Sequence, residues 1–460
     1  MALDVRIPIG TGAEGYADFL RCKRLSTYEV HGREVWTDAR SHAAVFGIAP
    51  TDALATSDAH LFDYQRWIAD VALREERYGA FLDCGLGKTA IELAWAHAVA
   101  TLGRVLFLCP LAVMEDVQRF CERYHGHRMR DLRRGESWGD AIAILNWEAI
   151  RDVDMRGVVG ICLDESSILK NGQGTTRQWL TDLARSCRFR LACSATPSPN
   201  EHAEYATHAV WLGHASTLNE FYGRFFRKDG TDWKLKGHAV GPFYRHLRSW
   251  CCYVQSPSSL GYDGRAEMPC EPDYSVIDTT AEGYLPEGQL FASSVSLQES
   301  RGIFGAMRSD VLQRRFRDAC DAVNGDRAIV WCARNAEQDA FARELGGHSV
   351  SGATPVEARV EMMDDFRAGR VKRLVSKPSV LGFGVNLPEA ETMLYSGYTW
   401  SFEQFYQAVR RSHRFGRVGR LKVHVPVTDV ERPVWDTLRA KMRTFDADVR
   451  RLQSLMTEAP

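Results

Sequence analysis

The stretch Phe81-Leu82-Asp83-Cys84-Gly85-Leu86-Gly87-Lys88-Thr89-Ala90 decides how the chain is read. Tyr78 to Leu82 is an apolar run suited to a buried strand, and Ala90 to Ala100 has helical character. Gly85 and Gly87 let backbone N–H groups turn inward around Leu86. A polyphosphate would then sit at the positive N-terminus of the following helix. Lys88 would neutralise the outer phosphates and the Thr89 hydroxyl would ligate Mg²⁺. The strict phosphate-loop pattern has a glycine where Leu82 stands, so an incidental strand–turn–helix is the alternative reading of this segment alone.

Further along, Val158-Val159-Gly160-Ile161-Cys162-Leu163 reads as a buried strand ending in Asp164-Glu165. In a phosphate-loop enzyme the first carboxylate holds Mg²⁺ and the second polarises the attacking water. Asp164 and Glu165 are assigned those roles, against the bland reading of an acidic strand end. Near the C-terminus, Gln407-Ala408-Val409-Arg410-Arg411-Ser412-His413-Arg414-Phe415-Gly416-Arg417 crowds four arginines onto one helix and its exit. Arg411 and Arg414, three apart, share a helix face and need an anionic partner to offset their repulsion. A γ-phosphate approached from a second domain would serve, and a solvated basic helix or a nucleic-acid patch explains the pattern equally well.

Together with Gln65 in Leu61-Phe62-Asp63-Tyr64-Gln65, these segments resemble the ordered motifs of the superfamily-two helicases, in particular their Swi/Snf-like branch. The likeness continues through Cys109-Pro110-Leu111, Asn146-Trp147-Glu148 and Asp164-Glu165-Ser166-Ser167-Ile168-Leu169-Lys170-Asn171. It runs on through Ser194-Ala195-Thr196-Pro197-Ser198-Pro199-Asn200, Gly352-Ala353-Thr354 and Gly382-Phe383-Gly384-Val385-Asn386-Leu387, and covers roughly residues 60 to 430. It implies ATP as substrate with Mg²⁺, held by Gly85, Leu86, Gly87, Lys88, Thr89 and Ala90. Gln65 would read the adenine edge, and Gly384 and Asn386 would lie at the cleft of the second domain. Ser194 and Thr196 would couple nucleotide state to the bound strand, and Gln407, Arg411 and Arg414 would complete the site in trans. Two positions depart from the pattern: Ser167 stands where a histidine is often found, and Arg417 where a glutamine is. The chain looks more like compact phage- and prophage-encoded, DEAD-like members than like chromatin remodellers.

The resemblance implies movement along double-stranded DNA, with single-stranded DNA as a second possible track and replication or recombination proteins as candidate partners. The rival readings are an RNA helicase and an ATP-gated clamp that binds nucleic acid without translocating. With 58 basic and 59 acidic residues the net charge is −1, so any nucleic-acid surface must be local rather than a global field. No apolar run approaches the roughly 20 residues of a membrane span, and Met1-Ala2-Leu3-Asp4 lacks the order of a secretory signal, so a cytoplasmic protein is expected, in bacterium or infected host, as a monomer. The 12 cysteines include Cys109, Cys162, Cys193 and Cys332 in apolar strands. They read as reduced core residues rather than disulfides or zinc ligands.

The 460 residues, 45% of them hydrophobic, suffice for several buried cores. The fold class expected is α/β: two tandem RecA-like, doubly wound parallel-sheet lobes with a small N-terminal extension and an inserted helical or irregular region. The expected boundaries are an extension over 1–58, a first lobe over 59–270, a connection over 271–326 and a second lobe with a C-terminal helix over 327–460. From Phe221 to Trp250, basic residues including Lys234, Lys236 and Arg245 alternate with aromatics. That pattern suits either a nucleic-acid groove, with the basic side chains on the strand, or a small aromatic core with solvated charges. Gly352 and Thr354 would contact phosphate oxygens, or Thr354 would simply cap a helix before Pro355. Val434 to Met456 reads as an amphipathic helix bracing one lobe against the other.

Overall fold

The computed structural model describes three strands of the N-terminal segment and most of residues 54–262, 271–279 and 309–457. Strands β1 (Val5–Pro8), β2 (Tyr28–His31) and β3 (Glu34–Thr37) form a small antiparallel sheet in the order β1-β3-β2.

Two wholly parallel sheets follow, so the expected fold class is met. The first has seven strands: β4 (Arg77–Leu82), β5 (Arg104–Cys109), β6 (Arg130–Asp131), β7 (Ile142–Asn146), β8 (Val158–Leu163), β9 (Phe189–Ser194) and β12 (Cys251–Val254), in the order β12-β4-β9-β8-β5-β7-β6. Their buried, β-branched and aromatic runs suit a sheet covered on both faces. Helices α1 (Asp63–Glu75), α2 (Lys88–Ala100) and α3 (Met114–His125) lie against it, with α4 (Thr175–Ala184) and α5 (Tyr205–Leu212). The order sets β9 between β4 and β8. Ser194 therefore leaves the sheet between the phosphate loop after β4 and Asp164-Glu165 after β8, at the carboxyl edge where ligands collect in such sheets.

The segment from 214 to 254, expected to be irregular, is ordered. It holds α6 (Leu218–Phe225), the hairpin β10 (Phe226–Asp229) and β11 (Asp232–Leu235), and α7 (Val240–Arg248), and returns to the first sheet as β12. Its aromatics explain this: Phe221, Phe225, Phe226, Phe243 and Tyr244 are buried and pack ring to ring, while Tyr222 stacks on Trp233 at 4.6 Å.

The second sheet has six strands: β13 (Asp273–Asp278), β14 (Ala328–Trp331), β15 (His348–Val350), β16 (Arg373–Ser376), β17 (Thr392–Tyr395) and β18 (Lys422–Val427), in the order β13-β18-β17-β14-β16-β15. The expected connection over 271–326 thus contributes an edge strand. It also contributes α8 (Ser309–Ala322), whose buried Arg315 pairs with Glu431 at 3.0 Å. The longer helices of this lobe are α9 (Asn335–Leu345), α10 (Val356–Arg367), α11 (Phe402–Ser412) and α12 (Arg432–Thr457).

α12 is the brace expected between the lobes. It packs on α7 and β12 of the first lobe. Phe445 lies between Tyr253 of the first lobe, at 5.8 Å, and Phe402 and Tyr406 of the second, both at 5.2 Å. Asp448 accepts from Tyr244 at 2.7 Å and faces His202 at 2.7 Å.

Candidate functional site

The loop after β4 adopts the conformation its glycines foretell. Gly85 (φ +90°) and Gly87 (φ +74°) occupy the left-handed region, and Gly87 caps α2. A Cβ on Gly87 would stand 2.3 Å from Gln65 Nε2, so the left-handed backbone favours glycine and a side chain there would push the Gln65 amide off the Leu86 carbonyl. Gln65 Nε2 donates to the Leu86 carbonyl at 3.0 Å, Tyr64 Oη donates to the same oxygen at 3.0 Å, and the Phe62 N–H donates to Gln65 Oε1 at 3.0 Å. Gln65 thus lies beside the loop, but both ends of its amide tie the start of α1 to that loop. Tyr64 is buried and packs beneath it.

Lys88 opens α2 and donates to the Leu82 carbonyl at 3.1 Å. Burial lowers its pKa, but Cys84, Glu165, Asp164 and Asp83 outweigh this and raise it. Thr89 and Ala90 are half-buried on the same first turn. Asp164 is buried at the end of β8, its N–H donating to Leu108 O at 2.8 Å and its Oδ1 accepting from the Glu165 N–H at 2.8 Å. Glu165 has a left-handed backbone, φ +50°, uncommon for a residue with a side chain. Burial pushes its carboxyl up to about 7, with Lys88 and Arg411 opposing and Asp164 and Glu403 adding to the shift.

Second-lobe arginines reach this cradle. A Cβ on Gly85 would lie 3.5 Å from Arg414 Cβ and 3.7 Å from its Nε, which places that side chain over the phosphate loop. Arg414 is held by a hydrogen bond to Asn386 Oδ1. Arg411 is buried; burial lowers its pKa against the pull of Cys84, Glu165 and Asp164. Gln407 is buried on the same helix, α11. Gly384 lies outside the described residues.

The site contains a residue the sequence reading did not single out. Asp83, immediately before the loop and almost fully buried, faces Arg410 Nη2 at 2.8 Å and accepts from Tyr406 Oη at 2.7 Å. Its Oδ1 also accepts from the Cys84 N–H at 2.6 Å. Arg410 lies over the Tyr406 ring at 4.9 Å. The density of arginines was the available signal: beside Arg411 and Arg414, which carry the expected role, Arg410 ties the second lobe to the first. A second inter-lobe contact explains Ser167: its hydroxyl donates to Glu403 Oε1 at 2.5 Å, and Lys170 pairs with the same carboxylate. Arg417 instead closes a second-lobe loop, donating to the carbonyls of Gly419 at 3.0 Å and Arg420 at 3.1 Å, and to that of Ala390.

Among the described residues, several buried polar atoms of the site have no protein partner: Glu165 Oε2, Arg411 Nε and Thr196 Oγ1. Thr196 N–H donates to Ser194 Oγ at 3.1 Å. Unpaired buried groups of both signs around two left-handed glycines are the donor set a triphosphate with a divalent cation would satisfy.

The expected nucleic-acid residues lie apart from this cradle. Lys234 is exposed and pairs with Asp229 at 2.5 Å; Lys236 Nζ donates to Gly223 O at 2.7 Å; Arg245 is exposed on α7. Thr354 does not cap α10, whose N-cap is Pro355; its hydroxyl accepts from the Ser351 N–H at 3.0 Å. Arg359 donates to the carbonyls of Gly352 and Thr354, each at 2.8 Å, fixing that turn.

Residues 312–416 match the helicase conserved C-terminal domain. Helicase SWR1 of Mycosarcoma maydis is 26% identical over 126 residues, which cover 26% of this chain and 7% of that protein. Among solved structures, the Sulfolobus solfataricus SWI2/SNF2 ATPase core in complex with dsDNA is 17% identical with a TM-score of 0.42, over 88% of this chain and 96% of that one. A DEAD box protein from Methanococcus jannaschii is 14% identical with a TM-score of 0.42, over 84% and 90%. No described helix is long and apolar enough to cross a membrane.

Proposed function

We propose that the chain is a nucleic-acid-dependent ATPase whose two lobes close on MgATP and, by opening and closing, step along DNA. The observation that carries this reading is the meeting of Arg411 and Arg414 from the second lobe with the Gly85 loop and the Asp164–Glu165 carboxylates of the first.

Lys88 would leave the Leu82 carbonyl for the outer phosphates. Thr89 and Asp164 would hold Mg²⁺, which when bound supplies charge neutralisation across the phosphates. Glu165, with one carboxylate oxygen free, orients the attacking water and takes its proton. Arg411 and Arg414 stabilise the charge that develops on the transferred group, and they do so only when the lobes are closed. Asn386 positions Arg414, and Gln407 on the same helix as Arg411 would complete the site from the second lobe. Gln65, freed from Leu86, would be available to the adenine edge. Ser194 and Thr196 lie between the loop and Glu165, where a change in nucleotide state could be passed to a bound strand.

Duplex DNA as the track, with single-stranded DNA as the alternative, rests on the Swi/Snf resemblance of the motifs. Lys234, Lys236, Arg245, Gly352 and Thr354 are the contacts proposed for the backbone. A compact phage or prophage enzyme of replication or recombination, cytoplasmic and monomeric, fits the same resemblance. The test is steady-state ATP hydrolysis by the full chain with duplex DNA, single-stranded DNA or RNA across a salt series. Duplex DNA should stimulate most, and the stimulation should fall steeply with salt. Stimulation by RNA alone would replace the DNA assignment, and no hydrolysis with any polymer would sink the reading.

A further inference from the structure

On the outer side of the first sheet, away from the nucleotide cradle, four of the chain's histidines gather around a buried cysteine. His97 sits in the last turn of α2, Cys121 and His125 lie one turn apart on α3, His127 follows the Gly126 bend, and His60 packs edge-on to Tyr124 at 5.0 Å. His97 Nε2, Cys121 Sγ and a ring nitrogen of His127 all lie within 4.8 Å of one another.

The hydrogen bonds make this more than a crowd of rings. His97 Nδ1 lies 2.7 Å from the Leu93 carbonyl one turn back, and His127 Nδ1 lies 3.4 Å from the Arg128 carbonyl. A carbonyl only accepts, so Nδ1 carries a proton in each ring. The two Nε2 atoms then turn lone pairs toward each other, and they stand 3.0 Å apart. Facing lone pairs at that separation repel unless a proton or a metal cation lies between them. A backbone carbonyl fixing the far nitrogen is also how metal-bound imidazoles are usually oriented.

We propose that His97, Cys121 and His127 form a binding site for a zinc-class divalent transition metal, joining the end of α2 to the exit of α3. Neutral imidazole and thiolate are the donors such an ion prefers, and three protein ligands leave a fourth position for water. Tetrahedral zinc sets its nitrogens about 3.3 Å apart and sulfur about 3.5 Å from nitrogen, so the two nitrogens, 3.0 Å apart, would separate slightly and the sulfur, within 4.8 Å of them, would move in. His125 stacks on the His97 ring at 3.9 Å with the planes 9° apart, and faces Asp58 at 3.5 Å, which restrains His97 from the other side. A cation bound at Cys121 would displace the thiol proton, as metals do at coordinating thiols. Cys121 is thus an exception to the reading of the cysteines as core residues, and it became visible only once α2 delivered His97. The site is independent of ATP hydrolysis and stands or falls separately from it.

The test is cobalt substitution of the folded, full-length chain after removal of metal by a chelator. One equivalent of Co²⁺ should give tetrahedral ligand-field bands with a thiolate-to-cobalt charge-transfer band, and zinc should displace both. Cys121→Ser should lose the charge-transfer band. His127→Ala, at an exposed position that tolerates truncation, should lower cobalt affinity at least about tenfold while ATP hydrolysis is unchanged. No charge-transfer band in wild-type chain that is folded by circular dichroism, or a band that survives Cys121→Ser, would overturn the proposal.

Discussion

At the residue scale, the proposed nucleotide cradle depends on a few positions where chemistry and conformation coincide. Gly87 is one: a Cβ there meets Gln65 Nε2 at 2.3 Å on a left-handed backbone. Gly87→Ala should cost about 1–3 kcal/mol in chemical denaturation and weaken nucleotide binding, since the loop can relax only by giving up the Gln65–Leu86 bond. Glu165 is another. Glu165→Gln should keep nucleotide binding, read by fluorescent-nucleotide titration, and lower the rate of hydrolysis about 100- to 10,000-fold. Glycines, lysine and carboxylates were legible in the sequence because their chemistry is local: a left-handed turn, a cation and a strand-terminal acid each announce themselves within a few residues. Asp83 was not, because its partner Arg410 lies more than three hundred positions away and only the folded chain brings them to 2.8 Å.

At the element scale, alternating strands and helices were readable wherever apolar runs are long and buried, as in β4, β5, β8 and β9. Reading failed where tertiary packing decides. β13 pairs with β18 along its whole length although its residues are only partly buried, and the aromatics of α6 and α7 condense into a core that a linear pattern of basic and aromatic residues also presents as a groove. α5 carries a further consequence. His208 is fully buried on it, 3.1 Å from Ser166 Oγ and edge-on to Phe81 at 5.2 Å, and burial lowers its pKa from 6.5 to about 4. Between pH 6.5 and 4 the unfolded chain binds a proton there that the folded chain refuses, so this group's contribution to stability is lost as pH falls through that window. His208→Gln removes that proton uptake. The wild type should therefore lose up to about 3 kcal/mol more stability than the variant between pH 6.5 and 4 in urea unfolding, and equal losses would show that His208 is not held neutral.

At the scale of the whole molecule, the lobes are joined by charge as well as by α12. Asp83→Ala would leave the Arg410 guanidinium buried without its counter-charge and should destabilise the chain by about 3–5 kcal/mol, while Asp83→Ala combined with Arg410→Met should recover much of that loss. A pair that couples by less than about 0.5 kcal/mol in this cycle would not be a latch. Arg414 of the second lobe stands over Gly85 of the first, and in the proposed function its guanidinium acts on a triphosphate held there. The most direct measurement is ATP affinity and single-turnover hydrolysis by Arg414→Ala, side by side, in the presence of duplex DNA. Nucleotide affinity should stay within a few-fold of wild type while hydrolysis slows by about a thousandfold or more. Lost affinity with an intact rate for the nucleotide that does bind would contradict that role.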